Sequence, residues 1–388
     1  MIMNQETANS FVSVFVSGDF CPARVPANWP SKENTPMTIF ADLSAMIRNA
    51  DLSITNLECP LTLSNAAIKK IGPHLKASPA MASLLRDAGF NLVTLANNHI
   101  YDYGQQGLSD TLDALQKNGL PYVGAGLSLQ DAVKTFFTEL KNIKLAIVNF
   151  AEIEYSSADT KHGGANPMDL IDNFHQIHDA RKHADHVIVI IHGGHEQYHY
   201  PSPATLKRYR FYAESGASVV IGHHTHCIGG YEQRKGIPIF YSLGNFFFPP
   251  RHDVPTLWHE GYALLLKITK NSLAFEILPY EQCKGGTLSI DRSRRDTILK
   301  KIEDINRVLS NGEQIAAHWK KYTEERRHYF LAKISGLGKY KTAIFRRLGL
   351  LGCFYRKSQL ESVRQMIRCE AHKEAAAKVL SRYINGDK

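Results

Sequence analysis

Side chains that commonly bind metal ions follow several short apolar stretches of this sequence. Five such groups combine aspartate, glutamate, asparagine and histidine: Gly18-Asp19, Asn56-Leu57-Glu58, Ala96-Asn97-Asn98-His99 with Asp102, His192-Gly193-Gly194-His195-Glu196 and Gly222-His223-His224-Thr225-His226. Carboxylate, amide and imidazole donors together suit Mn, Fe, Zn or Ni better than a sulfur-bound structural zinc. Because the donors outnumber those that one ion needs, they indicate two divalent ions. Two ions about 3.5–4 Å apart would clamp the reacting oxygens and lower the pKa of a bridging water molecule for hydrolysis.

Each group also has an ordinary structural explanation when it is taken alone. A Gly-Asp pair after a strand is usually a turn, and Asn-Asn-His can form an Asx turn or a helix N-cap. His224 and His226 are more specific, because residues i and i+2 of an extended segment point to the same face. Other histidines are expected on solvated helix surfaces or helix ends, namely His175, His178, His183 and His186. The combination of five groups favours one shared site.

The elements that carry these groups alternate along the chain. Apolar stretches predict strands at 11–17, 52–55, 91–95, 143–149, 186–191, 218–221, 238–241 and 261–268, and amphipathic stretches predict helices at 38–49, 79–88, 104–118, 168–183 and 204–215. This alternation is typical of α/β layers in which a sheet is buried on both faces. Ligands of such sheets bind at the carboxyl ends of the strands, which is where the five groups lie.

Charge divides the chain into two regions. The 388 residues carry a net charge of +9, and their 44% hydrophobic and 21% charged composition excludes wholesale disorder, collagen and coiled coil. Residues 1–283 hold 22 Lys and Arg against 26 Asp and Glu, for a net −4, whereas residues 284–388 hold 24 against 11, for a net +13. The second region lacks proline and predicts several helices. We therefore expect a first domain over residues 1–283 and a basic helical region over residues 284–388.

The segment 326–357 is the most basic part of the chain. It combines paired cations with apolar residues such as Phe330, Ile344 and Leu348. A basic amphipathic helix of this kind binds a membrane surface, a partner helix or an acidic polymer, or it packs in a bundle with a cationic exterior. These alternatives stay open at this point. Nucleic acid is the least favoured partner, because no nucleic-acid-binding motif accompanies the charge.

Cysteine usage and apolar runs bear on the cellular compartment. The six cysteines are scattered without a CxxC pair, which predicts reduced thiols and no disulfide. The first ten residues lack the pattern of a signal peptide, and no run of 18 apolar residues predicts a transmembrane helix. We expect a cytoplasmic protein, with peripheral attachment at the inner membrane face through residues 326–357 as an alternative.

Taken in order, these motifs resemble those of the CapA family. Also in the pattern are Cys59-Pro60-Leu61-Thr62 after Glu58, Asp102-Tyr103-Gly104 after His99, and Tyr241-Ser242-Leu243-Gly244-Asn245-Phe246. The family, also called the poly-γ-glutamate capsule synthesis domain, is similar to the calcineurin-like metallophosphoesterases, and the match covers roughly residues 11–280. It implies a layered metallophosphoesterase sandwich and a metal-dependent hydrolase that acts in capsule or cell-envelope polymer metabolism. A non-catalytic accessory protein that binds polymer or metal is the alternative.

The resemblance also implies a role for individual residues. The implied metal ligands are Asp19, Glu58, Asn98, His192, His224 and His226, with Glu58 in place of the usual bridging aspartate. Metal-bound hydroxide would attack an anionic polymer or a phosphoester, and His99 would contact the oxyanion or protonate the leaving group. Asp102 would orient His99, and Glu196 would support the site from outside the ligand shell.

The sequence departs from the family pattern at four positions. Cys21 stands where an Asp-x-His motif has its histidine, so one ligand of the ordinary dinuclear site is missing. Gly193, Gln197 and Thr225 replace a tryptophan, a tyrosine and a proline that are frequent in CapA sequences. These replacements remove aromatic surface near the expected site, and a relic site kept for stability or binding is therefore a further alternative.

Overall fold

The structure is a computed structural model that describes residues 11–25, 29, 31–33, 35–249, 255–283, 286–334, 338–350 and 357–385. Its chain divides into two units, Met1–Ala316 and Ala317–Lys388. The first unit contains all the strands and the first eight helices. The second unit contains most of α9 and the helices that follow it. The expected α/β fold with a helical C-terminal region is confirmed.

The strands are β1 (Val12–Phe20), β2 (Leu52–Leu57), β3 (Leu92–Thr94), β4 (Tyr122–Val123), β5 (Ala125–Gly126), β6 (Phe136–Leu140), β7 (Ile143–Ala151), β8 (Gly164–Ala165), β9 (His186–His192), β10 (Val219–His223), β11 (Tyr231–Arg234), β12 (Ile237–Phe240), β13 (Asn245–Phe247), β14 (Glu260–Ile268), β15 (Leu273–Cys283) and β16 (Gly286–Ser289). All eight strands that the sequence predicts are present. Most of the additional strands are short or sit at the sheet edges, but β15, which the sequence did not predict, has 11 residues and lies between β14 and β16.

The helices are α1 (Pro36–Phe40), α2 (Leu43–Asn49), α3 (Met81–Ala88), α4 (Gly104–Lys117), α5 (Leu129–Ala132), α6 (Leu170–His183), α7 (Pro203–Glu214), α8 (Arg292–Leu309), α9 (Gly312–Glu325), α10 (Arg327–Ile334), α11 (Lys339–Arg347), α12 (Lys357–Arg368) and α13 (Glu370–Asn385), with a 3-10 turn at Thr256–Trp258. The single helix predicted over 38–49 is two helices, because the backbone at Ala41 has a φ of 44° and ends α1. No helix among the described residues is long and apolar enough to cross a membrane.

Two mixed sheets form the sandwich of the first unit. The first has the strand order β16-β15-β14-β1-β2-β3-β4, with β13 also paired to β1, and the second has the order β11-β12-β10-β9-β7-β6. β1, β2 and β3 run parallel to one another, as do β7, β9 and β10. The strands that precede the polar groups are therefore parallel, which brings their carboxyl ends to one edge of each sheet.

Alternating side chains of β1 explain the layers. Val14 and Val16 pack between the two sheets with residues of the second sheet such as Ile188, whereas Phe15 packs on the opposite face with Phe40 of α1 and Leu85 of α3. Because successive strand residues point to opposite faces, a strand buried on both sides needs this continuous apolar run. Helices α1 to α4 cover the first sheet, and α6 and α7 cover the second.

Helix α8 belongs to the first unit, although the sequence places the boundary before it at residue 283. Its Ile298, Ile302, Ile305 and Leu309 are buried in the same core as the two sheets. At Gly230, a Cβ atom would come within 2.7 Å of side-chain atoms of Ile305 and Leu309, so a larger residue before β11 would require these side chains of the helix to shift. The change in charge along the sequence begins earlier than the change in packing.

The structure also bears on the predictions for individual histidines and cysteines. His175, His178 and His183 are exposed as expected, but His186 is buried, because it is the first residue of β9 and its Nε2 lies 2.8 Å from the carbonyl oxygen of Thr269. The described cysteines are free thiols, in agreement with the sequence. Cys353 lies outside the described residues.

The packing of α8 predicts a large effect of one truncation. Ile302→Ala should destabilise the first unit by about 2–4 kcal/mol, because a buried isoleucine is replaced by a cavity. Urea denaturation of the full chain measures the change. Ile344→Ala on the exposed α11 position is the matched control and should change stability by less than about 0.5 kcal/mol. Equal effects of the two substitutions would contradict the assignment of α8 to the first unit.

Candidate metal centre

The candidate site lies where the carboxyl ends of four strands meet, two from each sheet. The pairing of β1 with β2 places Asp19 beside Asn56, and the pairing of β9 with β10 places His192 beside His223. The backbone at Gly18 packs directly against the backbone at Gly244, because a Cβ atom on Gly18 would lie 2.0 Å from the carbonyl oxygen of Gly244. Each sheet therefore supplies about half of the polar side chains.

Asp19 is fully buried and is held by donors from both sheets. Its Oδ1 accepts hydrogen bonds from Nδ2 of Asn56 at 2.7 Å and from Nδ1 of His223 at 3.0 Å, and its Oδ2 accepts one from the backbone N–H of His224 at 3.0 Å. Burial alone would raise the pKa of Asp19, but the interactions with His223, His192 and His226 outweigh it and lower the pKa well below its ordinary range. Asp19 is therefore a fixed negative charge.

Glu58 follows the end of β2 and is fully buried. Neither of its carboxylate oxygens accepts a hydrogen bond from any residue that the structure describes. Burial, together with the nearby charges of Asp19 and Glu196, raises the pKa of Glu58 well above its ordinary value. A buried carboxylate without donors is unfavourable unless a cation compensates for it.

The three imidazoles predicted as ligands surround this carboxylate. Nε2 of His192 lies 3.5 Å from Oε1 of Glu58, and Nε2 of His226 lies 3.6 Å from the same oxygen. Nδ1 of His224 lies 3.1 Å from Nε2 of His192. Burial lowers the pKa of His192 well below 6.5 and that of His224 to about 4, so both rings are neutral at neutral pH and offer lone pairs. Neutral imidazole is the form that binds a metal ion.

The backbone is strained at two of these histidines. His224 has a φ of 88° and His226 a φ of 53°, both in the left-handed region that residues other than glycine rarely occupy. Strain of this kind persists where the surroundings hold the residue in place. Here the backbone N–H of His224 is bonded to Asp19, and Nδ1 of His226 lies 2.9 Å from Oδ1 of Asn245.

The buried cluster is compatible with divalent metal ions. Two groups of side chains each bring three ligand atoms within 4.8 Å of one another: Asp19, Glu58 and His192 form one, and Glu58, His224 and His226 form the other. Glu58 is common to both groups. The lack of hydrogen bonds to its buried oxygens is what a bridging carboxylate would leave for the ions, so the residues present fit a metal centre.

Asn98 also contacts the cluster. Its Oδ1 lies 3.1 Å from Nε2 of His192, and its backbone carbonyl accepts a hydrogen bond from Oγ of Ser156 at 2.8 Å. All six predicted metal ligands are therefore in one region. Their predicted role as ligands stays a prediction.

His99 and Asp102 form a second group beside the ligands. Nδ1 of His99 lies 2.8 Å from Oδ2 of Asp102, and the same carboxylate oxygen accepts a hydrogen bond from the backbone N–H of Leu75 at 2.8 Å. Nζ of Lys70 pairs with the other oxygen of Asp102 and lies 3.2 Å from Nδ1 of His99. Burial lowers the pKa of His99, and the charge of Lys70 lowers it further against the opposing effect of Asp102.

The remaining predicted residue and the departures from the family pattern lie at the margins of the cluster. Glu196 has an exposed side chain near enough to affect the titration of Glu58. Cys21 is buried beside Cys59 and is in neither ligand group. Two other aromatic side chains lie beside the cluster, although residues 193 and 197 are not aromatic. The ring of Trp258 lies 4.8 Å and that of Phe248 5.1 Å from the ring of His226.

Sequence reasoning gave no role to four residues that hold the site together. Asn56 and His223 bind Asp19, Asn245 faces His226, and Lys70 pairs with Asp102. The first three lie inside the motifs, so their position at strand ends was a usable signal. Lys70 lies in the loop between β2 and α3, where the sequence has no pattern that indicates a buried lysine.

Comparisons with known proteins show the family of the chain. The sequence model of the family described as "Bacterial capsule synthesis protein PGA_cap" matches residues 13–250. The chain belongs to this family. Among its relatives, the PGA biosynthesis protein CapA of Bacillus subtilis (strain 168) is 31% identical over 274 residues, which cover 68% of this chain and 71% of the relative. The capsule biosynthesis protein CapA of Bacillus anthracis is 32% identical over 221 residues, which cover 54% of this chain and 53% of the relative.

Solved structures with a similar fold are more distant. A novel phosphatase from Mycoplasma pneumoniae has 14% sequence identity and a TM-score of 0.40, and the match covers 73% of this chain and 98% of that chain. A putative 5'-nucleotidase from Staphylococcus aureus in complex with alpha-ketoglutarate has 17% identity and a TM-score of 0.42, with 76% of this chain and 58% of that chain covered. The membership of the CapA family that the motifs indicate is confirmed by the family match.

The position of Glu58 predicts opposite effects of one substitution with and without metal. Glu58→Gln should raise the stability of the metal-free protein by about 1–3 kcal/mol, because it removes a buried charge that lacks donors. The same variant should lose the rise in melting temperature that Mn²⁺ produces in the original protein. Differential scanning fluorimetry with and without Mn²⁺ measures both effects. Glu139→Gln removes the same charge from an exposed position in β6 and should keep the metal response.

The stability of the metal-free protein should also depend on pH through Glu58. Its pKa is raised above 4.5 in the folded state, so above that pH the folded state keeps a proton that the unfolded state releases. The metal-free protein therefore loses stability as the pH rises beyond 4.5, and Glu58→Gln lacks this part of the loss. Parallel pH curves for the two proteins would contradict the burial of an uncompensated carboxylate.

Proposed function

We propose that the protein is a metal-dependent hydrolase that acts on an anionic polymer or phosphoester in capsule or cell-envelope metabolism. The observation that supports this most directly is Glu58, a buried carboxylate without hydrogen-bond donors that belongs to two ligand groups at once. A site built only to bind a polymer gains nothing from such a group. Two ions that share one carboxylate are typical of hydrolytic centres.

Several features support two divalent ions rather than one. The six proposed ligands are Asp19, Glu58, Asn98, His192, His224 and His226, and they offer more donors than one tetrahedral ion needs. Their oxygen and imidazole donors favour Mn, Fe, Zn or Ni. Bound divalent ions would supply Lewis acidity at the substrate oxygen and lower the pKa of a water molecule.

His99 would move the proton during the reaction. The ionised carboxylate of Asp102 can only accept a hydrogen bond, so Nδ1 of His99 carries the hydrogen and Nε2 keeps its lone pair. Burial and Lys70 both keep the ring neutral. In its resting state His99 is therefore suited to take a proton at Nε2 from the attacking water and to return it to the leaving group. Asp102 would stabilise the cationic ring in between.

Lys70 would position this pair. Its side chain is 4% exposed, and its ammonium group pairs with the oxygen of Asp102 that does not face His99 and lies 3.2 Å from Nδ1 of His99. The pair fixes the carboxylate and balances its charge, which a buried aspartate needs. Lys70 acts through Asp102 and is therefore a positioning residue.

The family match supports the choice of substrate class. The Bacillus relatives carry the names PGA biosynthesis and capsule biosynthesis protein, and a relative from Mycobacterium tuberculosis is named a probable polyglutamine synthesis accessory protein. We infer a polyglutamate-type amide or an envelope phosphodiester as the substrate. The location at the inner membrane face that the sequence suggests stays a prediction.

Hydrolysis by the metal-loaded full chain tests the proposal. The protein loaded with Mn²⁺ should hydrolyse bis-p-nitrophenyl phosphate or poly-γ-glutamate, and Asp19→Asn should reduce kcat by at least about 100-fold because it removes a ligand charge. Asp179→Asn is the control, since it removes the same charge from an exposed helix position. Elemental analysis of both variants shows whether the loss of activity follows the loss of metal.

An accessory protein is the second candidate, and the word "accessory" in the name of the Mycobacterium tuberculosis relative favours it. In that case, the metal-loaded protein would bind poly-γ-glutamate without shortening it, and Asp19→Asn would weaken binding instead of turnover. Size-exclusion chromatography of the polymer after incubation separates the two functions. Unchanged polymer together with inert phosphodiester would reject the hydrolase.

The proposed role of Lys70 gives a separate prediction. Lys70→Met should lower kcat by about ten-fold while metal content stays the same, because the fixed orientation of His99 is part of a contribution of about 10²–10⁴ from proton transfer. Lys70→Arg should recover part of the loss. The neighbouring exposed Lys69→Met is the matched control. Full activity of Lys70→Met, or a loss that follows metal content, would contradict the positioning role.

A further inference from the structure

The second unit contains a segment whose charge is all of one sign. Residues 326–357 include nine lysines and arginines and no aspartate or glutamate. Two of the cations, Arg326 and Arg327, directly follow Glu324 and Glu325, and Arg327 pairs with Glu324 at 2.8 Å. The cations of α11 have no acidic residue within the segment to balance them. This part of the chain is therefore attracted to anionic surfaces.

Helix α11 also exposes apolar side chains. Tyr340 is 84% exposed, Ile344 56% and Leu348 61%. Their spacing of four residues places them along one stripe of the helix. Thr342, Ala343 and Arg346 line a groove that α11 shares with α10, so the stripe lies on the other side of the helix. Lys341 and Arg347 flank the stripe in the helical projection.

Helix α8 shows what a helix with a similar apolar stripe does when it has a partner in the fold. Its Ile298, Ile302 and Ile305 are at most 3% exposed. The stripe of α11 differs in being left to solvent. An apolar stripe between cations is the pattern of a helix that lies in the interface of a membrane, with long cationic side chains reaching the headgroups.

We propose that α11 docks this protein on an anionic lipid bilayer, with Tyr340, Ile344 and Leu348 in the interface and the cations on the headgroups. An anionic polymer would attract the same cations, but a hydrated polymer gives the three apolar side chains no environment better than water. The lipid surface accounts for both the charge and the stripe. This inference does not depend on the metal centre.

Vesicle sedimentation of the full chain tests the docking surface. The protein should bind vesicles of equal parts phosphatidylcholine and phosphatidylglycerol and should not bind pure phosphatidylcholine. The combined substitution Lys341→Gln and Arg347→Gln should lower the partition coefficient about 30-fold, at about 1 kcal/mol per cation. The combination Lys134→Gln and Lys182→Gln removes the same charge from exposed positions of the first unit and should have little effect.

A second variant distinguishes binding to lipid from binding to an anionic polymer. Tyr340→Ser, Ile344→Ser and Leu348→Ser keep every cation and should still lower binding to the anionic vesicles at least about 100-fold. If this variant binds the vesicles like the original protein, or if excess soluble poly-γ-glutamate displaces the original protein from them, the surface is a polyanion site and the lipid proposal is wrong. Equal losses in the α11 and control charge variants would also overturn it.

A fluorescent side chain in the stripe gives a positive signal for docking, which a loss of helix structure could not produce. Ile344→Trp should shift its fluorescence to shorter wavelength when anionic vesicles are added, because the indole enters a less polar environment. Far-UV circular dichroism of each variant controls for the helix. An emission that does not move in a variant that sediments with the vesicles would show that the stripe stays in water, which contradicts the proposal.

Discussion

A fully buried carboxylate that accepts no hydrogen bond is costly, and Glu58 places such a group in the middle of the first unit. The surrounding structure is arranged around that charge. Asp19 is held ionised by donors on three sides, and the rings of His192 and His226 direct a nitrogen toward the same oxygen of Glu58. Hydrophobic packing alone would not produce this arrangement. The cluster is compatible with bound divalent cations.

The sandwich supplies the precision that such a cluster needs. Asp19 and Glu58 come from one sheet, and His192, His224 and His226 come from the other or from the turn that follows it. The parallel registers of β1 with β2 and of β9 with β10 place Asp19 beside Asn56 and His192 beside His223, and Glu58 and His224 follow within two residues. Strain at His224 and His226 is compatible with a fixed cluster, because the backbone N–H of His224 is bonded to Asp19 and the ring of His226 faces Asn245. A flexible loop would not hold two histidines in the left-handed backbone conformation.

Much of this could be predicted from the sequence, since apolar strands followed by Asp, Glu or His leave few alternatives for an α/β protein. Eight of the strands and the common location of the six proposed ligands follow from that pattern, whereas the long strand β15 does not. The boundary between the two units does not follow from the sequence in the same way. We predicted it at residue 283 from the change in net charge, whereas the isoleucines of α8 are spaced for burial in the sheet core. Lys70 was missed for another reason: its partner, Asp102, is 32 residues away, and only the folded chain brings them together. The basic segment could be recognised, but its exposed stripe needed the structure.

The hydrogen bond between Asp19 and the backbone of His224 joins residues 205 positions apart. During synthesis, the first sheet can begin to form while the ribosome has yet to produce β9 and β10, so Asp19 and Glu58 must wait for their partners. A growing chain thus carries an incomplete acidic pocket until the residues near 226 emerge. The cluster spans residues 19–226, so ions that bind it would close a loop of about two thirds of the first unit.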